Sequence, residues 1–302
     1  MTVSETDAGF RYCEELAATH GRTYYLATRL LPRPRRSAVH ALYGFARLVD
    51  DIVDVTAVDD PAGAARQVTE TERRLHAALA GDPGPADATG LVVGALAETI
   101  RRYELPLEYF EAFVRSMRMD IPGTPEFRAR YNDMPQLREY MYGSAAVIGL
   151  QLLPVFEVAD IDAAAPYAAS LGEAFQLTNF IRDVGEDLDR GRTYLPADTW
   201  AAFGVDVALL EHGRRTGGTP DPRVRRALAH FVALTRAEYR RAEPGLALLP
   251  DRIRPGIRTA FALYGGILDE VERSGYRVLD ERAVVPGRRR ARVALTQLVR
   301  LR

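Results

Sequence analysis

The chain has 302 residues, of which 47% are hydrophobic and 27% are charged, as is typical of a globular protein with a large core. Its formal net charge of −1 provides no overall field that would attract nucleic acid, and its single cysteine, Cys13, excludes an internal disulfide. Residues 1–9 lack the pattern of a secretory signal peptide, and no run of about 18 apolar residues predicts a transmembrane helix, so we expect a cytoplasmic protein.

Apolar residues recur at spacings of three and four along most of the chain, which is the period of amphipathic α-helices. No alternating β-type run with hairpin turn signals occurs, and there is no glycine-rich dinucleotide or P-loop fingerprint. Short breaks rich in Pro and Gly, such as 31–34 and 217–220, separate the helical segments. We therefore predict one all-α catalytic domain over residues 1–302, with a flexible N-terminus at 1–9. The predicted helices span residues 8–20, 35–55, 61–80, 88–104, 107–119, 134–156, 162–189, 222–247 and 254–274.

Two of these helices carry a pair of aspartates four residues apart, Asp50 with Asp54 and Asp183 with Asp187. Side chains four apart lie on one face of an α-helix, about one turn from each other. Asn179 extends the second pair backward by the same step. Oxygen ligands without His or Cys suit Mg²⁺ or Mn²⁺, which bind through a few carboxylates together with substrate phosphates. The pattern predicts a metal-dependent diphosphate site between two helices.

The surroundings of these motifs are apolar. Residues 142–149 are small or apolar on every side, so this part of the helix is expected to be buried or to line a cavity. The helix at 162–189 is apolar in its first half and acidic at its end, which predicts metal-binding groups at the mouth of an apolar cavity. All 40 basic residues are arginines, and a guanidinium can bind phosphate through a bidentate fork.

Three segments around the motifs resemble the signatures of the squalene/phytoene synthases. They are residues 25–32 (YLATRLLP), 41–54 (ALYGFARLVDDIVD) and 176–196 (QLTNFIRDVGEDLDRGRTYLP). The resemblance extends over roughly residues 10–290, and within the family it is greatest to bacterial members that form phytoene. It implies a single-domain, all-α isoprenoid-synthase fold with a central cavity, in which prenyl diphosphates bind through Mg²⁺ or Mn²⁺.

The resemblance also implies a reaction, the head-to-head condensation of two geranylgeranyl diphosphates in carotenoid biosynthesis. One diphosphate ionises, and the double bond of the other attacks the carbocation to give a cyclopropylcarbinyl (prephytoene) diphosphate. This intermediate ionises, rearranges and loses a proton to give phytoene. Metal ions and arginines would stabilise the charge of the leaving diphosphate, and a dry cavity would protect the carbocation from water.

Individual roles follow from the resemblance by motif. The residues expected to act in catalysis are Asp50, Asp54, Asp183, Asp187, Tyr142 and Tyr264. The expected metal ligands are Asp50, Asp54, Asn179, Asp183 and Asp187. The residues expected to bind diphosphate are His20, Arg47, Gln176, Asn179 and Arg182. Where relatives carry paired arginines after Tyr276, this chain has Glu281 and Arg282, so a phosphate role at that place has little support.

Several alternatives stay open from the sequence. The same chemistry on two farnesyl diphosphates would give squalene or presqualene diphosphate, and the residues that set cavity depth are not located by the pattern. A terpene cyclase also uses two metal motifs, and a non-catalytic assembly factor of the same fold is a remote third reading. Without the resemblance, the sequence favours a surface or core-edge position for His20 and ordinary core positions for Tyr142 and Tyr264.

The C-terminal segment 287–302 is basic and has apolar residues interleaved among its arginines. Such a segment can form an amphipathic helix that lies on an anionic membrane, or it can be a solvated or disordered tail. The sequence therefore predicts peripheral membrane contact as one of two alternatives.

Overall fold

A computed structural model describes residues 3–82, 84–289 and 293, without the side chains of residues 3–5 and 22–24. Within these residues the regular structure is helical, apart from one isolated parallel bridge between Arg130 and Thr193, which confirms the predicted all-α class. The α-helices are α1 (Val3–His20), α2 (Arg22–Thr28), α3 (Arg33–Asp51), α4 (Ala57–Asp59), α5 (Pro61–Leu79), α6 (Ala88–Tyr103), α7 (Leu107–Arg118), α8 (Met134–Met141), α9 (Val147–Val155), α10 (Ile161–Arg182), α11 (Val184–Asp189), α12 (Ala197–Ala202), α13 (Val207–Thr216), α14 (Pro222–Ala242) and α15 (Arg254–Arg273). Two π-helical turns, π1 (Ile52–Thr56) and π2 (Tyr142–Ala146), and a 3₁₀ turn at Glu243–Ala247 complete the set.

Each predicted helical segment contains a helix, but four segments are divided. Residues 35–55 run from α3 into π1, residues 134–156 form α8, π2 and α9, residues 162–189 form α10 and α11, and residues 222–247 form α14 and the 3₁₀ turn. Helices α2, α4, α12 and α13 are not predicted, because helices this short show too few turns for a clear apolar period. Helix α1 begins at Val3, so residues 3–9 of the segment expected to be flexible are helical.

Aspartate side chains start several helices. Asp133 accepts a hydrogen bond from the Gln136 amide at 2.9 Å, and Asp160 does the same from the Ala163 amide at 2.9 Å. These bonds satisfy amide groups that have no partner inside the helix. They fix where α8 and α10, the helices around the cavity described below, begin.

Helix α10 lies at the centre of the fold. It packs against π2, α9, α14 and α15, while α3 packs against α1, α6, α7 and α9. The approach of π2 and α9 to α10 is close, because a Cβ atom at Gly149 of α9 would lie 2.2 Å from the Ala168 carbonyl oxygen and one at Gly172 of α10 would lie 2.3 Å from that of Ala145 in π2. One cluster of buried apolar residues extends from Cys13 to Val285.

None of the described helices combines the length and the apolar composition that a helix needs to cross a bilayer.

Candidate active site

A cavity of about 1080 Å³ lies between α3, π2, α9, α10 and α15. It is larger than the roughly 300–1,000 Å³ of typical small-molecule sites. Along α10 it is lined from Ala164 to Asp183, which corresponds to a length of about 28 Å at 1.5 Å per residue. The first half of this wall is apolar, and the last turn carries amide, guanidinium and carboxylate groups. The apolar-to-acidic gradient of the sequence is therefore a gradient along the cavity.

The first acidic motif lies where α3 passes into π1. Asp50 is in the last turn of α3, and Asp54 is in the π-helical turn. The Asp54 carboxylate accepts a hydrogen bond from Arg192 Nη1 at 2.9 Å, whereas the only cation near Asp50 in the described chain is Arg47, at 3.8 Å. Burial of Asp50 within the protein, followed by the charge of Asp54, raises the pKa of Asp50 to about 7. Its side chain is half exposed and lines the cavity.

The second motif lies where α10 passes into α11. Asp183 separates the two helices with φ −104° and ψ 11°, so the predicted single helix is interrupted here. Its amide still donates to the Asn179 carbonyl at 2.8 Å, and the Asp187 amide donates to the Asp183 carbonyl at 2.9 Å. The step of four residues therefore persists through the break, and Asn179, Asp183 and Asp187 all line the cavity.

The carboxylates of the second motif differ in their partners. Asp183 accepts from Arg182 Nε at 2.7 Å and lies 3.0 Å from Arg282 Nε. Asp187 is buried and forms no ion pair within the described residues. Burial, followed by the charge of Asp183, raises the pKa of Asp187 to about 8. The charges of Arg190 and Arg192 act in the opposite direction and offset this rise only in part.

Three observations bear on whether these residues fit a divalent cation. Asn179 Oδ1 is buried without a hydrogen-bond partner in the described structure, while Nδ2 of the same side chain donates to Gln176 Oε1 at 3.3 Å. Burial, followed by the charge of a neighbouring carboxylate, raises the pKa values of Asp50 and Asp187, and a bound cation would lower them. No group of three or more His, Cys, Asp or Glu side chains in the described chain could enclose a metal ion alone. The donors fit Mg²⁺ or Mn²⁺ whose coordination is completed by substrate oxygens.

The residues predicted to bind diphosphate all line the same cavity, namely His20, Arg47, Gln176, Asn179 and Arg182. In the ligand-free arrangement Arg47 donates from Nε to Asp51 at 3.1 Å, and Arg182 donates to Asp183. Tyr264 also lines the cavity, and its ring stacks on Phe175 with centroids 4.3 Å apart.

Tyr142 is the one predicted residue that the structure does not bring to the site. Its side chain is 44% exposed and does not contribute to the cavity wall. Tyr140, two residues earlier, lines the cavity together with Ser144 and Ile148 at steps of four. Residues two apart point to nearly opposite sides of a helix, so the cavity face carries Tyr140 and the outer face carries Tyr142.

The structure adds residues that sequence reasoning did not assign to the site. Asp120 is buried and accepts hydrogen bonds from the hydroxyls of Tyr140, at 2.6 Å, and Tyr194, at 2.9 Å. Arg282 lines the cavity beside Asp183, although a phosphate role at that place had little support from the sequence. Arg192 and Tyr194 lie inside the segment 176–196, which was the available signal for them, whereas Asp120 lies in none of the three segments that resemble the family signatures.

An all-α fold in which two acid-bearing helix junctions face one end of a long apolar cavity defines an enzyme of the isoprenoid-synthase class. A family model described as squalene/phytoene synthase matches residues 17–289. The chain belongs to the squalene/phytoene synthase family and is a prenyltransferase.

Individual relatives agree with this assignment. The chain is 35% identical over 290 residues to a phytoene synthase of Arthrospira platensis, with 92% of this chain and 88% of that protein covered. It is 32% identical to a 15-cis-phytoene synthase of Synechocystis sp., with 94% and 82% covered. Among solved structures, a ligand complex of a dehydrosqualene synthase superposes with a TM-score of 0.85 at 26% identity, with 99% and 98% covered.

Proposed function

We propose that the protein joins two geranylgeranyl diphosphates head to head, through a cyclopropylcarbinyl diphosphate, to form phytoene for carotenoid biosynthesis. The observation that carries the proposal is the cavity that leads from two facing acidic motifs into an apolar interior. The similarity to two phytoene synthases favours this product over a C30 hydrocarbon, and the similarity to a dehydrosqualene synthase makes farnesyl diphosphate the competing substrate.

The diphosphates would bind at the polar end of the cavity. Arg47 and Arg182 are already oriented there by Asp51 and Asp183, and their remaining N–H groups can donate to phosphate oxygens. Arg282 supplies a third guanidinium at the same place. These cations would stabilise the charge that develops as the C–O bond breaks.

Mg²⁺ or Mn²⁺ is proposed as the cofactor. Bound through Asp50, Asp54, Asn179, Asp183 and Asp187, it would supply Lewis-acid chemistry that makes diphosphate a better leaving group.

The interior of the cavity would protect and guide the carbocations. Leu171, Phe175 and Ile148 present only hydrocarbon, so water that could quench a cation is excluded. The stacked rings of Phe175 and Tyr264 offer π-electron density to a cation beside them. The Tyr140 hydroxyl donates a hydrogen bond to Asp120, which fixes this ring in the cavity wall.

The proposed reaction is tested by product analysis. Purified protein is incubated with Mg²⁺ or Mn²⁺ and either a C15 or a C20 allylic diphosphate, with and without NADPH, and the hydrocarbon is identified by mass spectrometry. We expect phytoene from the C20 substrate without a requirement for NADPH. A C30 product formed in preference to phytoene would overturn the assignment of the substrate.

Substitution of Ile148 with phenylalanine is expected to shift substrate preference toward C15, because the larger side chain occupies part of the cavity. Phe175→Ala is expected to shift the substrate preference toward C20, because the smaller side chain leaves more room in the cavity. The C20-to-C15 ratio of kcat/KM should change by about 10-fold, equivalent to about 1.4 kcal/mol, whereas the metal concentration for half-maximal activity should not change. Ile161→Phe is the control, since Ile161 is exposed and outside the cavity wall. An unchanged ratio in both cavity variants would contradict the proposed position of the prenyl chains.

We also propose peripheral contact with a membrane. Val55, Val58 and Val284 are exposed, and two of them, Val55 and Val284, line the opening of the cavity. Exposed apolar side chains beside a cavity that would release an apolar product favour contact with lipid. The basic segment 287–302 lies outside the described residues except for 287–289 and 293.

Removal of residues 290–302 is expected to reduce co-sedimentation with anionic vesicles several-fold, since each basic residue near such a surface contributes about 1 kcal/mol. The truncated chain ends at Arg289 and therefore keeps the ion pairs of Arg289 with Asp269 and Glu270. Vesicles of neutral lipid serve as the control. Equal sedimentation of the truncated and full-length chains with anionic vesicles would exclude the segment as a membrane contact.

A further inference from the structure

Arg192 connects the two acidic motifs directly. Its amide donates to the Asp187 carbonyl at 2.8 Å, in the second motif. Its side chain donates from Nη1 to the Asp54 carboxylate at 2.9 Å, in the first motif, and from Nη2 to the Val53 carbonyl at 3.4 Å. Arg192 is only 8% exposed, so these bonds are shielded from competing water.

A third segment holds the same guanidinium. Nη2 of Arg192 also donates to the Asp120 carbonyl at 3.0 Å. Asp120 is itself fixed, because its carboxylate accepts from the hydroxyls of Tyr140 and Tyr194. The Tyr194 ring stacks on Phe180 of α10 with centroids 4.3 Å apart. Arg192 is therefore anchored to a rigid part of the core.

These contacts use the shape of a guanidinium as well as its charge. Arginine presents five N–H donors in a planar fork, whereas a lysine ammonium is a compact charge on a flexible stem. Only the planar group can bind a carboxylate and two carbonyl oxygens from separate segments in one fixed orientation. Arg190 provides the contrast, because its Nη1 lies 3.9 Å from Asp54 and none of these carbonyls accepts from it in the described structure.

We infer that Arg192 is a positioning residue that sets the separation and relative orientation of the two acidic motifs before any ligand binds. The inference deepens the proposed function, since it rests on both motifs acting on one bound diphosphate. It assigns Arg192 no contact with the reacting atoms. Its consequence is a preformed spacing between π1 and α11, which a metal–diphosphate group would otherwise have to create on binding.

A simple counterion role for Arg192 gives the opposite expectations. If Arg192 only neutralised Asp54, Arg192→Lys would behave like the native protein, and Arg192→Gln would bind a divalent cation more tightly because a competing positive charge is removed. If Arg192 positions the motifs, lysine and glutamine both lose the three-way contact and both weaken metal binding. Arg190→Gln is the matched control, since it removes a cation near Asp54 without breaking a link between the motifs.

The test measures the spacing in the ligand-free protein. Spin labels are placed at Val58, which is 67% exposed in α4, and at Glu211, an exposed residue of α13, the helix that packs against α11. The native Cys13 is fully buried and reacts little with the label. Distances between the labels are measured by double electron–electron resonance, and Mn²⁺ affinity is measured by electron paramagnetic resonance without substrate.

We expect Arg192→Lys and Arg192→Gln to broaden the distance distribution and to weaken Mn²⁺ binding by about 10-fold, the lower end of the effect of groups that orient metal ligands. Arg190→Gln should leave the distances unchanged. A native distribution and native Mn²⁺ affinity in Arg192→Lys would overturn the inference. Neither readout requires turnover, so both stand even if the product proves to be a C30 hydrocarbon.

Folding of each variant is checked by thermal unfolding. If neither Arg192 variant folds, Tyr194→Phe takes their place, because it removes only the hydroxyl that helps to fix Asp120. We expect a smaller broadening of the same distribution in Tyr194→Phe. If the spin-label distances in Tyr194→Phe kept the native distribution, the contact between Arg192 and Asp120 would not help to set the spacing of the two motifs.

Discussion

Replacement of Asp50 or Asp183 with asparagine is expected to lower kcat/KM by at least about 10²-fold, the loss that follows removal of one preorganised electrostatic group from a catalytic site. Asparagine keeps the shape of the side chain but removes the charge. Both carboxylates line the polar end of the cavity, where a cation and the diphosphate would meet. The measurement is the initial rate of diphosphate release at several Mg²⁺ concentrations.

Asp189→Asn is the matched control for this experiment. Asp189 lies in the same acidic segment, but its carboxylate pairs with Arg214 and does not line the cavity. We expect Asp189→Asn to keep near-native turnover, because only an exposed ion pair is lost. Near-native turnover in Asp50→Asn or Asp183→Asn would remove that residue from the mechanism.

The two active-site variants should differ in stability. Asp183 accepts a hydrogen bond from Arg182 at 2.7 Å and lies 3.0 Å from Arg282, so Asp183→Asn leaves two guanidinium groups with a weaker partner. Within the described part of the chain, the cation near Asp50 is Arg47, at 3.8 Å. We therefore expect a lower Tm for Asp183→Asn than for Asp50→Asn, although both lose activity. The comparison separates loss of chemistry from loss of fold.

The helices and the acidic pairs could be predicted because both are local. An apolar period of three and four residues reflects burial of one helix face, and a step of four places two carboxylates together whether or not the chain bends nearby. For this reason Asp183 and Asp187 both line the cavity even though the helix is interrupted at Asp183. The interruption itself has no sequence signal that we recognise, since neither Pro nor Gly stands at that residue.

The assignment of Tyr142 shows the limit of a motif without geometry. Tyr140 and Tyr142 are two residues apart, and the pattern alone does not tell which of them faces the cavity. The π-helical turn Tyr142–Ala146 adds to the uncertainty, because a π turn shifts the faces of the helix that follows it. Only the packing of π2 against α7 and α10 places Tyr140 in the wall.

The network around Asp120 could not be predicted, because it is not local. Arg192 reaches Asp54 and Asp120 across 138 and 72 residues of sequence. A buried carboxylate outside any acidic pair resembles an ordinary helix-end residue until its partners are known. Such contacts depend on how α3, α7 and the segment after α11 pack together.

The protein without metal is expected to lose stability as the pH rises, and Asp187 is expected to be a main cause. Burial, followed by the charge of Asp183, raises the pKa of Asp187 from 3.8 to about 8. Between about pH 4 and pH 8 the folded protein therefore holds a proton that the unfolded chain releases. This contribution to stability is complete below the unfolded pKa and is lost as the pH passes the folded value. Asp50, with its pKa raised to about 7 by burial and Asp54, adds to the same trend.

Asp187→Asn isolates this contribution. Asparagine cannot ionise, so the variant should have a Tm above that of the native protein at pH 8 in the presence of a chelator, and nearly equal to it below about pH 4. Each kcal/mol by which the substitution increases the free energy of unfolding should raise Tm by about 2–4 °C. Asp189→Asn is again the control, since Arg214 lowers the pKa of Asp189 and its removal does not produce this trend. If Tm depended on pH equally in Asp187→Asn and in the native protein, ionisation of Asp187 would not be what destabilises the fold at high pH.

A carboxylate that destabilises the fold would have a direct use in the cation site proposed above. A divalent cation bound beside Asp187 would stabilise its ionised form, so ionisation would no longer destabilise the fold. Added Mn²⁺ is accordingly expected to raise Tm more at pH 8 than at pH 6 in the native protein, and much less in Asp187→Asn. If Mn²⁺ raised Tm equally in both proteins at pH 8, the cation would have to be held by other groups than the second acidic motif.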